Sequence, residues 1–146
     1  MSTESAKPTL IVTGDYRLYV ADAIGVAEVH IPAIAKALYL MILSHRDGVC
    51  FDESFKARKE LIEVYYDITH SPLDEDELCR VLSLTEPPMG DIVDASEVIR
   101  QAFIAAVGEE RATPFAVDYS NPNAVRVAVP SVFSLAKTLA CRQKGL

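Results

Sequence analysis

The segment PAIAKALYLMILSH, residues 32–45, constrains the fold of this chain more than any other part of the sequence. It has helical character and is apolar on nearly every side, with Lys36 as its single charge. A helix of that kind is normally buried among other elements, and a proline is well tolerated in its first turn. Its longest apolar run, Ala37 to Leu43, is far shorter than the roughly 20 residues that span a bilayer. We therefore expect a central core helix rather than a membrane segment.

Strand patterns lie on both sides of this helix. TLIVT and YRLYVA flank Gly14-Asp15 with alternating β-branched and aromatic residues, which predicts a hairpin. AEVHI predicts a third strand before the helix, and VCF predicts a short strand after the Asp47-Gly48 turn that ends it. These segments predict N-terminal antiparallel strands beside the buried helix.

Helical spacing recurs three times in the middle of the chain, in residues 53–70, 74–84 and 91–107. The acids at 74–77 favour the dipole of the second of these helices, and we interpret them as capping charges rather than metal ligands. FAVDY and AVRVAV then flank the turn cluster Ser-Asn-Pro-Asn, which predicts a second hairpin. The side chains expected in the core are Phe55, Leu61, Ile62, Tyr65 and Ile68 in the first of these helices, and Leu38, Leu40, Ile42, Ile99 and Phe103 elsewhere.

The end of the chain predicts one more helix, with Ser131 as its cap. Its apolar residues fall at i, i+3, i+4, i+7 and i+8 and form one stripe: Val132, Leu135, Ala136, Leu139 and Ala140. We expect this stripe to pack on its own domain or across the two-fold axis of a homodimer. The predicted organisation is a loose arm at 1–8, one α+β domain at 9–130 and an amphipathic helix at 131–146.

Composition and charge narrow the function classes. The 146 residues suffice for one domain with a real core, and the apolar half of the chain argues against global disorder. A net charge of −7 disfavours a protein that neutralises DNA phosphates with a basic stripe. The opening MSTESAKP lacks the apolar core of a secretory signal. Cys50, Cys79 and Cys141 are odd in number and scattered, which is typical of small buried thiols in a reducing compartment. We expect a cytoplasmic protein with no membrane partner.

The sequence contains no motif that carries a known chemistry. It lacks the phosphate-binding glycine motifs, the zinc-binding HExxH and CxxC patterns, and the GxSxG nucleophile motif. His30 lies in a predicted strand, while His45 and His70 lie at helix ends, where a cationic imidazole favours the dipole. We therefore expect no catalytic residue, no metal and no cofactor. An enzyme assembled from distant residues is the alternative that the sequence leaves open.

The element order is similar to that of a known family. AEVHIPAIAKALYLMILSHRDGVCFDE resembles the first half of the winged-helix effector domain of bacterial response regulators, where a strand leads into an apolar helix and a Gly-containing turn with a β-bridge. DIVDASEVIRQAF corresponds to that family's recognition helix, and FAVDYSNPNAVRVAV to its wing. The likeness covers residues 10–129. The chain is also similar to short bacterial proteins of unknown function that share the YRLYVAD segment. The resemblance implies a winged-helix-like α+β domain.

The helix at 91–107 departs from the family, whose recognition helix is usually rich in Arg and Lys. Its four charged residues, Asp91, Asp94, Glu97 and Arg100, give a net charge of −2. Such a face repels the phosphates that supply most DNA affinity. An acidic face edged with aliphatic side chains suits a protein partner better. We therefore expect a non-enzymatic regulatory or protein-interaction module, and its candidate partner-binding residues are Val93, Asp94, Glu97, Val98, Arg100, Gln101 and Ile104.

A DNA-binding transcriptional regulator is the alternative, and it would use the 91–107 helix with the 115–129 wing. Lys56, Arg58 and Lys59 cluster at the start of a helix that crosses the DNA backbone in helix-turn-helix proteins. Arg126 is the only cation of the wing. A solvated helix end is the better explanation of the cluster, by about two to one, because isolated basic clusters of this size are common on protein surfaces. The salt dependence of binding distinguishes the two functions. Phosphate contacts weaken steeply with ionic strength, and a contact centred on aliphatic side chains does not.

Overall fold

The computed structural model describes residues 8–52, 54–86, 91–121, 123–127 and 132–134. The arm predicted at 1–8 lies outside them except for Pro8. The architecture is α+β, and none of the described helices is both long and apolar enough to cross a membrane. The elements are β1 (Thr9–Val12), β2 (Leu18–Ala21), β3 (Val26–Val29), α1 (Ala33–Leu43), α2 (Lys56–Thr69), α3 (Glu75–Leu84), α4 (Ile92–Val107), α5 (Glu109–Ala112), a 3₁₀ turn (Thr113–Phe115) and β4 (Val132–Ser134).

The sheet has the strand order β3-β2-β1-β4. β1 and β2 pair antiparallel with Leu10 opposite Val20, and β2 and β3 pair antiparallel with Leu18 opposite Val29. These four side chains and Val12 are buried, while the residues between them along each strand are more exposed. Because successive strand residues point to opposite faces, this alternation turns one face of the sheet toward the core. The predicted hairpin and third strand are confirmed.

β4 is formed by residues that the sequence assigned to the first turn of a terminal helix. Val132–Ser134 run parallel to β1, with Val132 opposite Leu10. The helix prediction is wrong for these three residues. The edge of β1 offers backbone N–H and C=O groups that need partners, and Val and Phe are residues that favour strands. The remainder of the predicted helix, residues 135–146, lies outside the described residues, and so does a dimer contact made through it.

α1 lies in the centre of the core, as its composition predicts. Nine of its eleven residues are buried, and the helix packs on α2 and α4. Its one charge, Lys36, donates from Nζ to the carbonyl oxygen of Tyr16 at 3.0 Å, and partial burial lowers the pKa of this ammonium. The hydroxyl of Tyr39 donates to the carbonyl oxygen of Phe115 at 2.9 Å. All five residues expected in the core outside α2 are buried: Leu38, Leu40, Ile42, Ile99 and Phe103.

α2 presents a different set of residues to the core from the predicted one. Leu61 and Tyr65 are buried as expected, but Phe55 is 40% exposed and that prediction is wrong. The backbone of Phe55 adopts a φ of 58°, in the left-handed region, immediately before the helix begins. Its ring is covered by the Arg58 guanidinium, 4.3 Å from the ring centroid, rather than by the core. The remaining positions are as follows: Ala57 and Val64 are buried, and Ile62 and Ile68 are half-buried.

α3 begins with a capping box. The Asp74 carboxylate accepts from the backbone N–H of Glu77 at 2.8 Å, and the Glu77 carboxylate accepts from the N–H of Asp74 at 2.9 Å. This reciprocal pair satisfies two of the N–H groups that a helix start leaves open. The interpretation of the acids at 74–77 as capping charge is confirmed for these two residues.

The second predicted hairpin is limited to isolated bridges in the described residues. Asp118 pairs antiparallel with Arg126, and Val125 pairs with Val49 after α1. Phe115, expected in a strand, closes the 3₁₀ turn and is fully buried. Residues 122, 128 and 129 of the predicted wing lie outside the described part of the chain.

Candidate functional site

α4 has the inner face that its helical spacing predicts. Ile92, Ile99 and Phe103 are at most 1% exposed, and the helix packs on α1 and β3. It ends at Val107, as predicted, because Gly108 leaves helical geometry with a φ of 89°. The orientation of the outer face is therefore fixed by three large apolar anchors.

The outer face of α4, defined as the seven candidate partner-binding residues, carries two exposed aliphatic side chains. Val93 is 49% exposed and Val98 is 43% exposed. Ile104 is half-buried and packs against the core, so it lies at the margin of this face. Arg100 is also half-buried. The other predicted members are exposed: Asp94, Glu97 and Gln101.

The charged groups at the centre of this face bind one another. Arg100 donates from Nε and Nη2 to the two carboxylate oxygens of Glu97, both at 3.1 Å, and Gln101 donates to the same carboxylate at 2.7 Å. The hydrogen bond from Arg100 is the main reason that the pKa of Glu97 is lowered. A second carboxylate, that of Glu109, lies 3.9 Å from Nη1 of Arg100. The Arg100 guanidinium is therefore already occupied by acids of its own chain.

A cleft of about 580 Å³ adjoins this face and was not predicted from the sequence. It lies between the start of α1, the outer side of α3 and the first half of α4, and we call it the α1–α3–α4 cleft. Its volume falls within the roughly 300–1,000 Å³ of ligand-binding clefts. The lining consists of residues 32–35 from α1, Glu77, Cys79, Arg80, Ser83 and Leu84 from α3, and Asp91, Asp94, Ala95 and Val98 from the α4 region. Of its lining, the helical spacing of the sequence had identified only Asp94 and Val98 as outward residues. The cleft itself could not be predicted, because its other walls belong to separate helices.

The charges in the cleft are unequally satisfied. The Glu77 carboxylate accepts from the Tyr65 hydroxyl, and this bond is the main cause of its lowered pKa, to which the nearby Arg80 also contributes. The same hydrogen bond raises the pKa of Tyr65 to about 12. By contrast, the side chains of Asp91 and Asp94 are exposed and have no hydrogen bond or ion pair with any described residue. Among the described residues, the cleft thus presents two carboxylates and the Arg80 guanidinium without hydrogen-bond or ion-pair partners beside an apolar floor.

The basic cluster predicted to contact phosphates is partly consumed by internal contacts. Lys56 and Lys59 are exposed on the first turn of α2. Arg58, between them, donates from Nε to the Thr85 hydroxyl at 2.8 Å and from Nη2 to the Leu82 carbonyl at 3.3 Å. These bonds tie the start of α2 to the end of α3. Arg126 is exposed and pairs with Asp118 in a different part of the chain. It makes no hydrogen bond to the described residues of the cluster on α2.

The described residues contain no group of three or more His, Cys, Asp or Glu side chains that could hold a metal ion. Nε2 of His45, at the end of α1, lies 2.8 and 2.9 Å from the two carboxylate oxygens of Glu60, which links α1 to α2. Cys50 and Cys79 are exposed, so the expectation of buried thiols is wrong for both. Cys141 lies outside the described part of the chain.

Comparisons with known proteins identify no relative of this chain. The comparisons found no match among family models, curated proteins or solved structures.

Proposed function

We propose that this chain is a non-enzymatic protein-interaction or regulatory module, and that it binds its partner through the outer face of α4. The observation that carries this proposal is the pair Val93 and Val98, each nearly half exposed on a helix whose inner face is fully packed. Exposed aliphatic side chains rimmed by polar groups are typical of protein interfaces. The adjoining α1–α3–α4 cleft extends this surface toward α3.

We also propose that the domain is a variant of the winged-helix fold. In this variant α4 takes the place of the recognition helix, and residues 117–126 take the place of the wing. Two features support the assignment. β3 leads through two residues and Pro32 into the buried α1, and the Val49–Val125 bridge connects the turn after α1 to the wing position.

The charges of the site argue against duplex DNA as the ligand. A recognition helix reads guanine with a free arginine or lysine, whereas Arg100 is bound to Glu97 and faces Glu109. On α2, Arg58 is bound to α3 and leaves Lys56 and Lys59 as the exposed cations of that turn. These two lysines and the exposed Arg126 supply at most about half of the roughly 6–10 phosphate contacts that make DNA binding tight and salt-dependent.

Site-specific photo-crosslinking in cells tests the nature of the partner. A photoreactive amino acid is placed at Val98, and in a matched control at Ile24, an aliphatic residue of the β2–β3 turn that is 74% exposed. We expect a defined product from Val98 that protease removes and nuclease does not, and that is absent from the Ile24 control. A product of about twice the 16.0 kDa chain mass would identify a second copy as the partner. A product removed by nuclease, or the same products from both positions, would contradict the proposal.

A further inference from the structure

We propose that the α1–α3–α4 cleft binds a basic amphipathic helix of the partner protein, with apolar side chains on the cleft floor and a lysine or arginine beside Asp91 and Asp94. This inference rests on the proposed function, since it names the chemistry of the partner at the same surface. The binding mode is that of a helix in a groove, in which apolar anchors at i and i+4 give affinity and flanking charges give specificity.

The floor of the cleft supplies the apolar part of the site. Ile34 and Ala35 of α1, Leu84 of α3 and Ala95 of α4 line it, and all four are largely buried by their own domain. Val98 stands at the edge and is 43% exposed. A partner side chain entering here would contact three helices at once and would cover the exposed part of Val98. Burial of apolar surface of this kind is the general source of affinity between proteins.

The charged side chains on the walls of the cleft indicate the charge of the partner segment. Glu77 is bound to Tyr65. Arg80 makes no hydrogen bond or ion pair with a described residue, so the lining carries one unpaired cation beside its acids and keeps a negative balance. Asp91 and Asp94 keep two negative charges without partners among the described residues. They are one helical turn apart at the start of α4, on the rim of the apolar floor. A segment with cations beside apolar anchors is therefore complementary to this cleft, and an acidic or neutral segment is not.

A small molecule is a poorer fit than a protein segment. The walls formed by Cys79, Arg80, Asp91 and Asp94 are exposed, so the cleft is open to solvent along its length. Sites for small ligands usually bury most of the ligand surface. An open cleft between helices can be covered by a helix that also contacts Val93 beyond the rim.

Disulfide trapping at Cys79 tests the proposal with the full chain. Cys79 lines the cleft and Cys50 is exposed elsewhere, so one molecule holds both the test thiol and an internal control; Cys141→Ser removes the third. The probe is a synthetic helical peptide of about 14 residues with leucines at i and i+4, two flanking lysines and a terminal cysteine. Its cysteine is supplied as the mixed disulfide with 2-mercaptoethanol. The attacking protein thiol forms the new disulfide and releases 2-mercaptoethanol. A second peptide carries glutamine in place of both lysines.

We expect trapping of the lysine peptide at Cys79 to exceed that of the glutamine peptide by about twofold to thirtyfold, the range of two solvent-exposed ion pairs, with equal yields at Cys50. High salt should reduce the preference. The double substitution Asp91→Asn with Asp94→Asn should abolish it. The double substitution Glu75→Gln with Asp76→Asn is the matched control, because both residues are exposed acids in the first turn of a helix and lie outside the cleft lining. It reproduces the effect on the helix dipole without changing the cleft.

Three outcomes would overturn the inference. They are equal trapping of the two peptides at Cys79, equal effects of the cleft and control substitutions, and an intramolecular Cys79–Cys141 disulfide in the unaltered chain that forms in preference to peptide adducts. The third outcome would assign the cleft to the chain's own residues 135–146. The first two leave a protease-sensitive crosslink at Val98 unaffected, so this inference can fail while the proposed function stands. The third would cover Val98 with the chain's own residues and would contradict both proposals.

Discussion

The substitution Phe103→Ala tests the packing that fixes the orientation of α4. Phe103 is 1% exposed and lies between two other aromatic rings. Its ring centroid is 5.0 Å from that of Phe115, with the planes nearly parallel at 4°, and 5.4 Å from that of Tyr39 at 52°. Tyr39 is in turn hydrogen-bonded to the backbone of Phe115. Removal of the central ring therefore leaves a cavity where α1, α4 and the 3₁₀ turn meet.

The expected loss of unfolding free energy is about 3–5 kcal/mol, the range for a buried Phe→Ala change. We expect the upper half of this range, because two aromatic contacts of about 0.5–1.5 kcal/mol each disappear with the ring. Phe103→Leu refills much of the space and should lose only about 1–3 kcal/mol, the sum of those two contacts. Total stabilities of such domains are about 5–15 kcal/mol, so the leucine variant remains measurable even if the alanine variant is largely unfolded.

Equilibrium unfolding in urea, followed by far-ultraviolet circular dichroism, measures both variants. With a urea dependence of about 2 kcal/mol per molar, a loss of 4 kcal/mol lowers the midpoint by about 2 M. Val93→Ala on the outer face of α4 is the control and should stay within about 0.5 kcal/mol of the unaltered chain. A loss below about 1 kcal/mol for Phe103→Ala would show that α4 is rotated from the orientation described, and the assignment of its outer face would be refuted.

Three further changes test other parts of the fold. Asp22 accepts from Arg111 at 2.7 Å through both carboxylate oxygens, which lowers the pKa of Asp22. The stabilisation from this pair is present at neutral pH and lost in acid. In urea titrations, Asp22→Asn should lower stability at pH 7 and should reduce the loss of stability from about pH 4 downward. The pKa of Tyr65 is about 12 in the folded state, above the ordinary value of about 10. The free energy of unfolding should therefore fall as pH rises from 10 through 12, and urea titrations should show a smaller fall for Tyr65→Phe. Gly48 has a φ of 100°, and a Cβ there would lie 2.8 Å from the backbone of Ala124; Gly48→Ala should cost about 1–3 kcal/mol or more, and a neutral result in thermal unfolding would contradict the bridge after α1.

The sequence predicted those features that depend on spacing within one element. α1 was identified as the central helix because an apolar segment has no stable position at the surface. The two faces of α4 followed from a period of about 3.6 residues per turn, and the buried Ile92, Ile99 and Phe103 agree with it. The hairpin of β1 and β2 followed from alternation around a Gly-Asp turn.

Tertiary structure decided the features that depend on contacts between distant residues. Val132–Ser134 have an apolar pattern that suits either a helix or a strand, and the open edge of β1 selects the strand. Arg58 has the sequence context of a free surface cation, but its hydrogen bonds run to residues 24 and 27 positions later. The α1–α3–α4 cleft exists only where three helices meet, and the spacing within each helix carries no information about the other two. Local periodicity thus determined which side of each element is apolar, and only packing between elements determined what each side contacts.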